Sequence, residues 1–165
     1  MPAFAYWKGK IKPFSRSSEI VSSLDVFPTL SALAGINYVP PNHATTYDGR
    51  DMSSILFQEN GKSQHDFLFF YSTCNGGPYW SISAVRHGKY KAHWCTASGN
   101  WDNATTYDPP LLFDIEKDPS ESLPIYNKND DEDKVAMERI LKAYAMEKST
   151  FQFGTAIPYP DGPGE

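Results

Sequence analysis

Nowhere in these 165 residues does an apolar run approach the length needed to cross a bilayer. A basic cluster is also missing. With a net charge of −5, the chain has no electrostatic footprint for nucleic acid or for an anionic membrane surface. Cysteine is scarce: Cys74 and Cys95 permit one disulfide and do not by themselves fix a redox compartment. No Gly-x-Ser-x-Gly elbow or Ser/His/Asp order supplies a hydrolase nucleophile. Gly76-Gly77 lacks the helix and lysine of a phosphate loop. The histidines, His43, His65, His87 and His93, share no face with one another or with a carboxylate at ligand spacing, which argues against zinc. The opening Met-Pro-Ala-Phe-Ala-Tyr-Trp-Lys is too aromatic and too quickly polar for a secretory leader.

What is present belongs to a folded chain: 15% aromatic and 40% apolar residues. Residues 3–7 read as a short strand closed by a Lys-Gly-Lys turn. Val26, Leu30 and Leu33 recur at helical spacing from Asp25 to Ala34, with Pro28 tolerated in the first turn and Gly35 as a stop. A loop-rich stretch follows, with a short helical turn near Met52 to Phe57. From Phe67 the pattern becomes period two. Phe67–Tyr71, Trp80–Arg86, Lys89–Trp94 and Leu111–Ile115 are expected to form one antiparallel sheet, with a hairpin turn at His87-Gly88. Asp130 to Asp133 then open a helix running to about Thr150, their charge suited to its N-terminus. Met137, Ile140, Leu141 and Tyr144 form the stripe expected to face the strands, making a two-layer α+β domain. The Asp130-Asp131 pair reads as a solvated helix start rather than a metal site.

Four segments, in order, closely resemble the C-terminal part of animal arylsulfatases. They are Pro2-Ala-Phe-Ala-Tyr-Trp-Lys-Gly-Lys-Ile-Lys-Pro13, Ser22-Ser-Leu-Asp-Val-Phe-Pro-Thr-Leu-Ser-Ala-Leu-Ala-Gly35, Ala84-Val-Arg-His-Gly-Lys-Tyr-Lys-Ala-His93 and Asp108-Pro-Pro-Leu-Leu-Phe-Asp-Ile-Glu-Lys-Asp-Pro-Ser-Glu121. The resemblance implies three parts. Residues 1–65 would be the C-terminal end of an α/β, alkaline-phosphatase-like catalytic domain, contributing its last strand and helix. Residues 66–153 would be the small α+β domain, and 154–165 an extended tail. It also makes Met1 an interior residue of a longer chain. Formylglycine-dependent sulfatases hydrolyse sulfate esters with an aldehyde made from cysteine in Cys-x-Pro-x-Arg, beside a Ca²⁺ ion that neutralises the sulfate. Neither Cys74 nor Cys95 lies in that motif, and the family's paired aspartates have no counterpart here. The resemblance therefore implies that nucleophile and Ca²⁺ belong upstream, that no cofactor or catalytic residue lies in this segment, and that these 165 residues alone are inactive.

By the same resemblance the loop from Thr96 to Tyr107 leans over the active-site mouth. The family can carry a histidine there, where Asn100 or Trp101 stands here. An exposed Trp101 could stack on an aryl or sugar ring; the alternative is an aromatic that anchors its own loop. His93 reads as a rim residue, with a catalytic base as the alternative. Asn103-Ala-Thr105 is an N-glycosylation acceptor, and with the resemblance it points to a secreted or lysosomal glycoprotein. A subset of the family bridges cysteines placed like Cys74 and Cys95; two buried free thiols are the other reading. The implied partners are an upstream catalytic domain, a sulfated small molecule or glycan and, in one variant, further copies of the chain. A different class stays open: a non-catalytic structural or carbohydrate-binding protein built on the same fold.

Overall fold

A computed structural model describes residues 3–36, 48–72, 74, 81–97, 104–125 and 130–150. The chain divides into two compact units, Met1–Leu68 and Phe69–Glu165.

In the first unit the helix starts as the sequence requires. Ser22 and Asp25 form a capping box around the 3₁₀ turn Ser23–Asp25, and helix α1 follows over Val26–Leu33. Gly35, at φ +71°, ends it: Gly35 N–H donates to Ala32 and Ile36 N–H to Ser31, the Schellman pattern. The face it buries differs from its apolar stripe. Thr29 is the buried residue of α1, whereas Leu30 is 61% exposed. Residues 3–7 are not a strand. A strand needs a neighbour to take its backbone groups. Here Trp7 C=O instead accepts from Lys10 and Ile11 in a turn, and Phe4 is 97% exposed. The Trp7 ring meets Phe57 of helix α2 (Ser53–Phe57) edge-on, centroids 6.0 Å apart.

The second unit is α+β. Strands β1 (Leu68–Ser72), β2 (Ser81–His87), β3 (Tyr90–Thr96) and β4 (Thr105–Asp114) make a four-stranded antiparallel sheet in the order β1-β2-β3-β4. The β2–β3 hairpin turns on Gly88 and Lys89, with Gly88 at φ +56°, a conformation glycine adopts without steric cost. Val85, Ala92 and Leu112 lie in one cross-strand row and are buried. Helix α3 (Asp131–Thr150) covers that face with Ala136, Met137 and Ile140. Tyr90 and Tyr71 hydroxyls donate to Asp133 and Glu147 of α3, both at 2.7 Å, and Trp94 stacks on Tyr144 with centroids 4.0 Å apart. Leu141 departs from the expected stripe. It is 39% exposed, because a helix rotates it about 100° from Ile140 and the sheet is already met by Ile140 and Met137.

Strand β4 begins earlier than its apolar core suggests. Its register slips between His93↔Leu111 and Cys95↔Thr106, so Tyr107 to Pro110 stand outside the regular pairing. Pro109 and Pro110 have no N–H to give the ladder, and β4 is an edge strand, where that loss is tolerated.

Candidate functional site

Alternation along β3 sends Tyr90, Ala92 and Trp94 to α3 and Lys91, His93 and Cys95 to the opposite face. On that opposite face lies a cavity of about 300 Å³, lined by Phe70, Ser83, Lys91, His93, Cys95 and Thr96 among others. The Lys91 ammonium sits 5.0 Å from the centre of the Phe70 ring.

The segment after β4 folds back over this face. Glu121, in the left-handed region at φ +54°, puts one carboxylate oxygen 2.7 Å from Lys91 Nζ and the other on His93 Nε2. All three side chains are mostly withdrawn from water: 17% exposed for Lys91, 16% for His93 and 26% for Glu121. His93 also sets its ring edge-on to Phe113, at 5.6 Å. Burial would raise the Glu121 pKa, but the hydrogen bond and charge of Lys91, with His93 added, outweigh it and hold the carboxyl below the usual range. Burial, then the charge of Lys91, pushes His93 below the ordinary imidazole value, against the pull of Glu121 and the Cys95 backbone. His93 is thus a half-buried member of an ion cluster, with its Nε2 engaged.

A disulfide joins Cys74 to Cys95, tying the chain just beyond β1 to β3 with Cα atoms 6.2 Å apart. Thr96 pairs with Thr105, and the Thr96 and Tyr107 hydroxyls lie 3.1 Å apart, closing the base of the intervening loop. That loop leaves β3 at the cavity rim, since Thr96 and Ala97 line it. Asn100, Trp101 and Asn103 lie outside the described residues.

Two further clusters escaped the sequence. In the first unit Asp25, 1% exposed, accepts from the backbone N–H groups of Ser22 and Arg50, each at 2.7 Å, and from His65 Nε2. In the second, a concavity of about 290 Å³ is lined by Asp114, Asp118, Asp130, Glu132 and Asp133, with Lys89 Nζ 2.9 Å from Glu132. The hydrogen bond to Glu132 raises the Lys89 pKa, and burial with the Asp133 bond pushes Tyr90 up to about 12. Among the described residues no group of three or more His, Cys, Asp or Glu side chains is disposed to hold a metal ion. The spacing of Lys91 and His93, two apart on a strand, was a usable signal for a shared face. Nothing near Glu121 announced its partners.

Residues 63–157 match the family model described as the C-terminal region of aryl-sulfatase. The chain belongs to the arylsulfatase family. It is 39% identical over 176 residues to arylsulfatase A of Bos taurus, covering 99% of this chain and 32% of that protein. Against Homo sapiens arylsulfatase A it is 41% identical over 133 residues, covering 73% of this chain and 25% of the relative. Among solved structures, the PsFucS1 sulfatase from Pseudoalteromonas sp. superimposes with a TM-score of 0.57 at 21% identity, covering 76% of this chain and 25% of that one. That last likeness is one of fold. The chain thus spans about a third or less of the length of these relatives. No helix among the described residues is long and apolar enough to cross a membrane.

Proposed function

We propose that this chain is the C-terminal segment of a sulfate-ester hydrolase of the arylsulfatase type, and that its part in the reaction is to build one wall of the substrate mouth. The observation that carries this reading is the cavity at the base of the Thr96–Thr105 loop, held by the Cys74–Cys95 bridge, in a chain of this family. On this reading residues 1–65 complete the catalytic domain and 66–153 form the small domain. The exposed Phe4, Tyr6, Leu24 and Leu30 are then covered by upstream chain. The formylglycine nucleophile and Ca²⁺ come from that upstream part, and the protein is a secreted or lysosomal glycoprotein carrying its glycan at Asn103.

This chain's residues bind and orient; they do not attack sulfur. Asn100 and Trp101 meet the bulky part of the substrate, Trp101 by stacking on an aryl or sugar ring. Stacking of that kind is felt about equally in ground and transition states, so it acts on KM.

The test is the longer polypeptide encoded around this segment, assayed with an aryl sulfate and Ca²⁺. Hydrolysis is expected from it, and none from the isolated 165 residues. Trp101→Ala should raise KM for a bulky sulfate ester more than it lowers kcat. Turnover by the isolated chain would overturn the reading. A longer chain without Cys-x-Pro-x-Arg would favour the non-catalytic structural or carbohydrate-binding alternative.

A further inference from the structure

Glu121 offers one carboxylate to two basic side chains. Lys91 takes one oxygen and His93 the other, and none of the three side chains is more than 26% exposed. Of the charged groups that face His93 among the described residues, Lys91 comes from its own strand and Glu121 from the segment after β4. Arg86 of β2 stands beside Lys91 in the register, its Nε given to Gly88 C=O. From β1 and β4 the neighbours are the Phe70 and Phe113 rings and Leu111. Asp114 belongs to the α3 face with Tyr90, and Asp118 turns its carboxylate on Ser120, Ser122 and Leu123. Lys91 with Glu121 is therefore already neutral, and a protonated His93 adds a positive charge that no second anion among the described residues is placed to meet.

The segment is held against strain. Glu121 sits at φ +54°, a region a residue with a Cβ adopts only at a cost. Beyond the Glu121 contacts, the hold on the sheet runs through Ile125 N–H, which donates to Leu112 C=O at 2.7 Å, and through Asp114 at the end of β4, which accepts from the backbone N–H groups of Glu116, Lys117 and Asp118.

We propose that residues 116–125 form a proton-operated latch, closed over the helix-free face of the sheet while His93 is neutral and released when His93 takes a proton. Release gives up the Glu121 contacts to Lys91 and His93 and relaxes the Glu121 backbone. It opens the cavity floor at Lys91 and His93. The burial and the Lys91 charge that hold His93 below its ordinary value act in the same direction. A closed state with a depressed histidine pKa loses stability as pH falls from about 6.5 through that value.

Hydrogen exchange of residues 116–125 in this chain, corrected for intrinsic rates and compared at pH 7.5 and 5.0, tests the latch, with the His93 ring titrated by NMR. The wild-type segment should lose protection at pH 5.0, about tenfold for each unit separating the closed from the open pKa of His93. Lys91→Met leaves one carboxylate for one imidazolium, so it should raise the His93 pKa and keep the segment protected at pH 5.0. His93→Gln should remove the pH dependence while staying folded by circular dichroism. Equal wild-type protection at both pH values would overturn the proposal, as would a Lys91→Met segment that loosens with acid as the wild type does. Sulfatase activity does not enter these measurements, so their failure is distinct from failure of the proposed function.

Discussion

His65 Nε2 lies 2.7 Å from Asp25 Oδ1, joining residues forty positions apart at a carboxylate that also takes the backbone N–H groups of Ser22 and Arg50. Thr29 extends the junction. Its hydroxyl donates to Asp25 C=O at 2.6 Å and accepts from Met52 N–H at 3.0 Å. Three stretches of the first unit thus converge on a polar core at the start of α1. This explains why the helix buries Thr29 and leaves Leu30 outside.

Asp25→Ala should unfold this junction. It leaves buried donors on Ser22, Arg50 and His65 without an acceptor, at a cost of about 3 kcal/mol. Hydrogen exchange of residues 48–52 and 63–65 should rise, while residues 81–96 keep their protection. The pH dependence has a definite sign. Burial would raise the Asp25 pKa, but the Arg50 and Ser22 N–H groups and His65 outweigh it and hold it below the ordinary value. Its contribution is therefore complete above about pH 4 and is lost as pH falls through the folded pKa. A first unit equally stable at pH 5 and pH 2.5 would contradict this.

Neighbours on α3 should differ sharply. Ile140 is fully buried and Leu141 is 39% exposed. Ile140→Ala should cost about 2–5 kcal/mol through lost burial and the cavity left behind, and Leu141→Ala about 1 kcal/mol or less. Denaturant melts followed at the second unit would read the ranking, and equal costs would contradict the packing.

Glycine matters for space at Gly49 and for conformation at Gly88. A Cβ on Gly49 would stand 2.1 Å from Leu24 C=O, in the same junction as Asp25. At Gly88 nothing lies within 4 Å and only φ +56° opposes a side chain. Gly88→Ala should cost about 1 kcal/mol, and Gly49→Ala markedly more, read by thermal unfolding of each variant.

The Cys74–Cys95 bridge closes a 21-residue separation. In the chain-entropy picture that stabilises by about 3 kcal/mol. Cys74→Ser with Cys95→Ser should lower the stability of the second unit by that order. Mass spectrometry of the untreated protein should show a mass 2 Da below that of its reduced form, about one hydrogen per thiol. Free thiols in the untreated protein would remove the tether from the cavity rim.

Local order was legible because its causes are local. Val26, Leu30 and Leu33 recur at helical spacing, Gly35 and Gly88 supply the conformations that end a helix and turn a hairpin, and the alternation through Tyr90, Ala92 and Trp94 fixes which side of β3 is buried. The family resemblance, carried by four ordered blocks, was equally a property of the sequence. Tertiary structure decided the rest. Residues 3–7 are no strand because a strand exists only through a partner. The β4 register slips where Pro109 and Pro110 cannot donate, and Leu141 turns outward because its neighbour already fills the sheet. Asp25 finds His65, and Glu121 finds Lys91 and His93, across separations of 28 to 40 residues. Such pairs leave no periodic trace in the chain, since only the packed backbone brings their charges within hydrogen-bond reach and withdraws the water that would otherwise screen them.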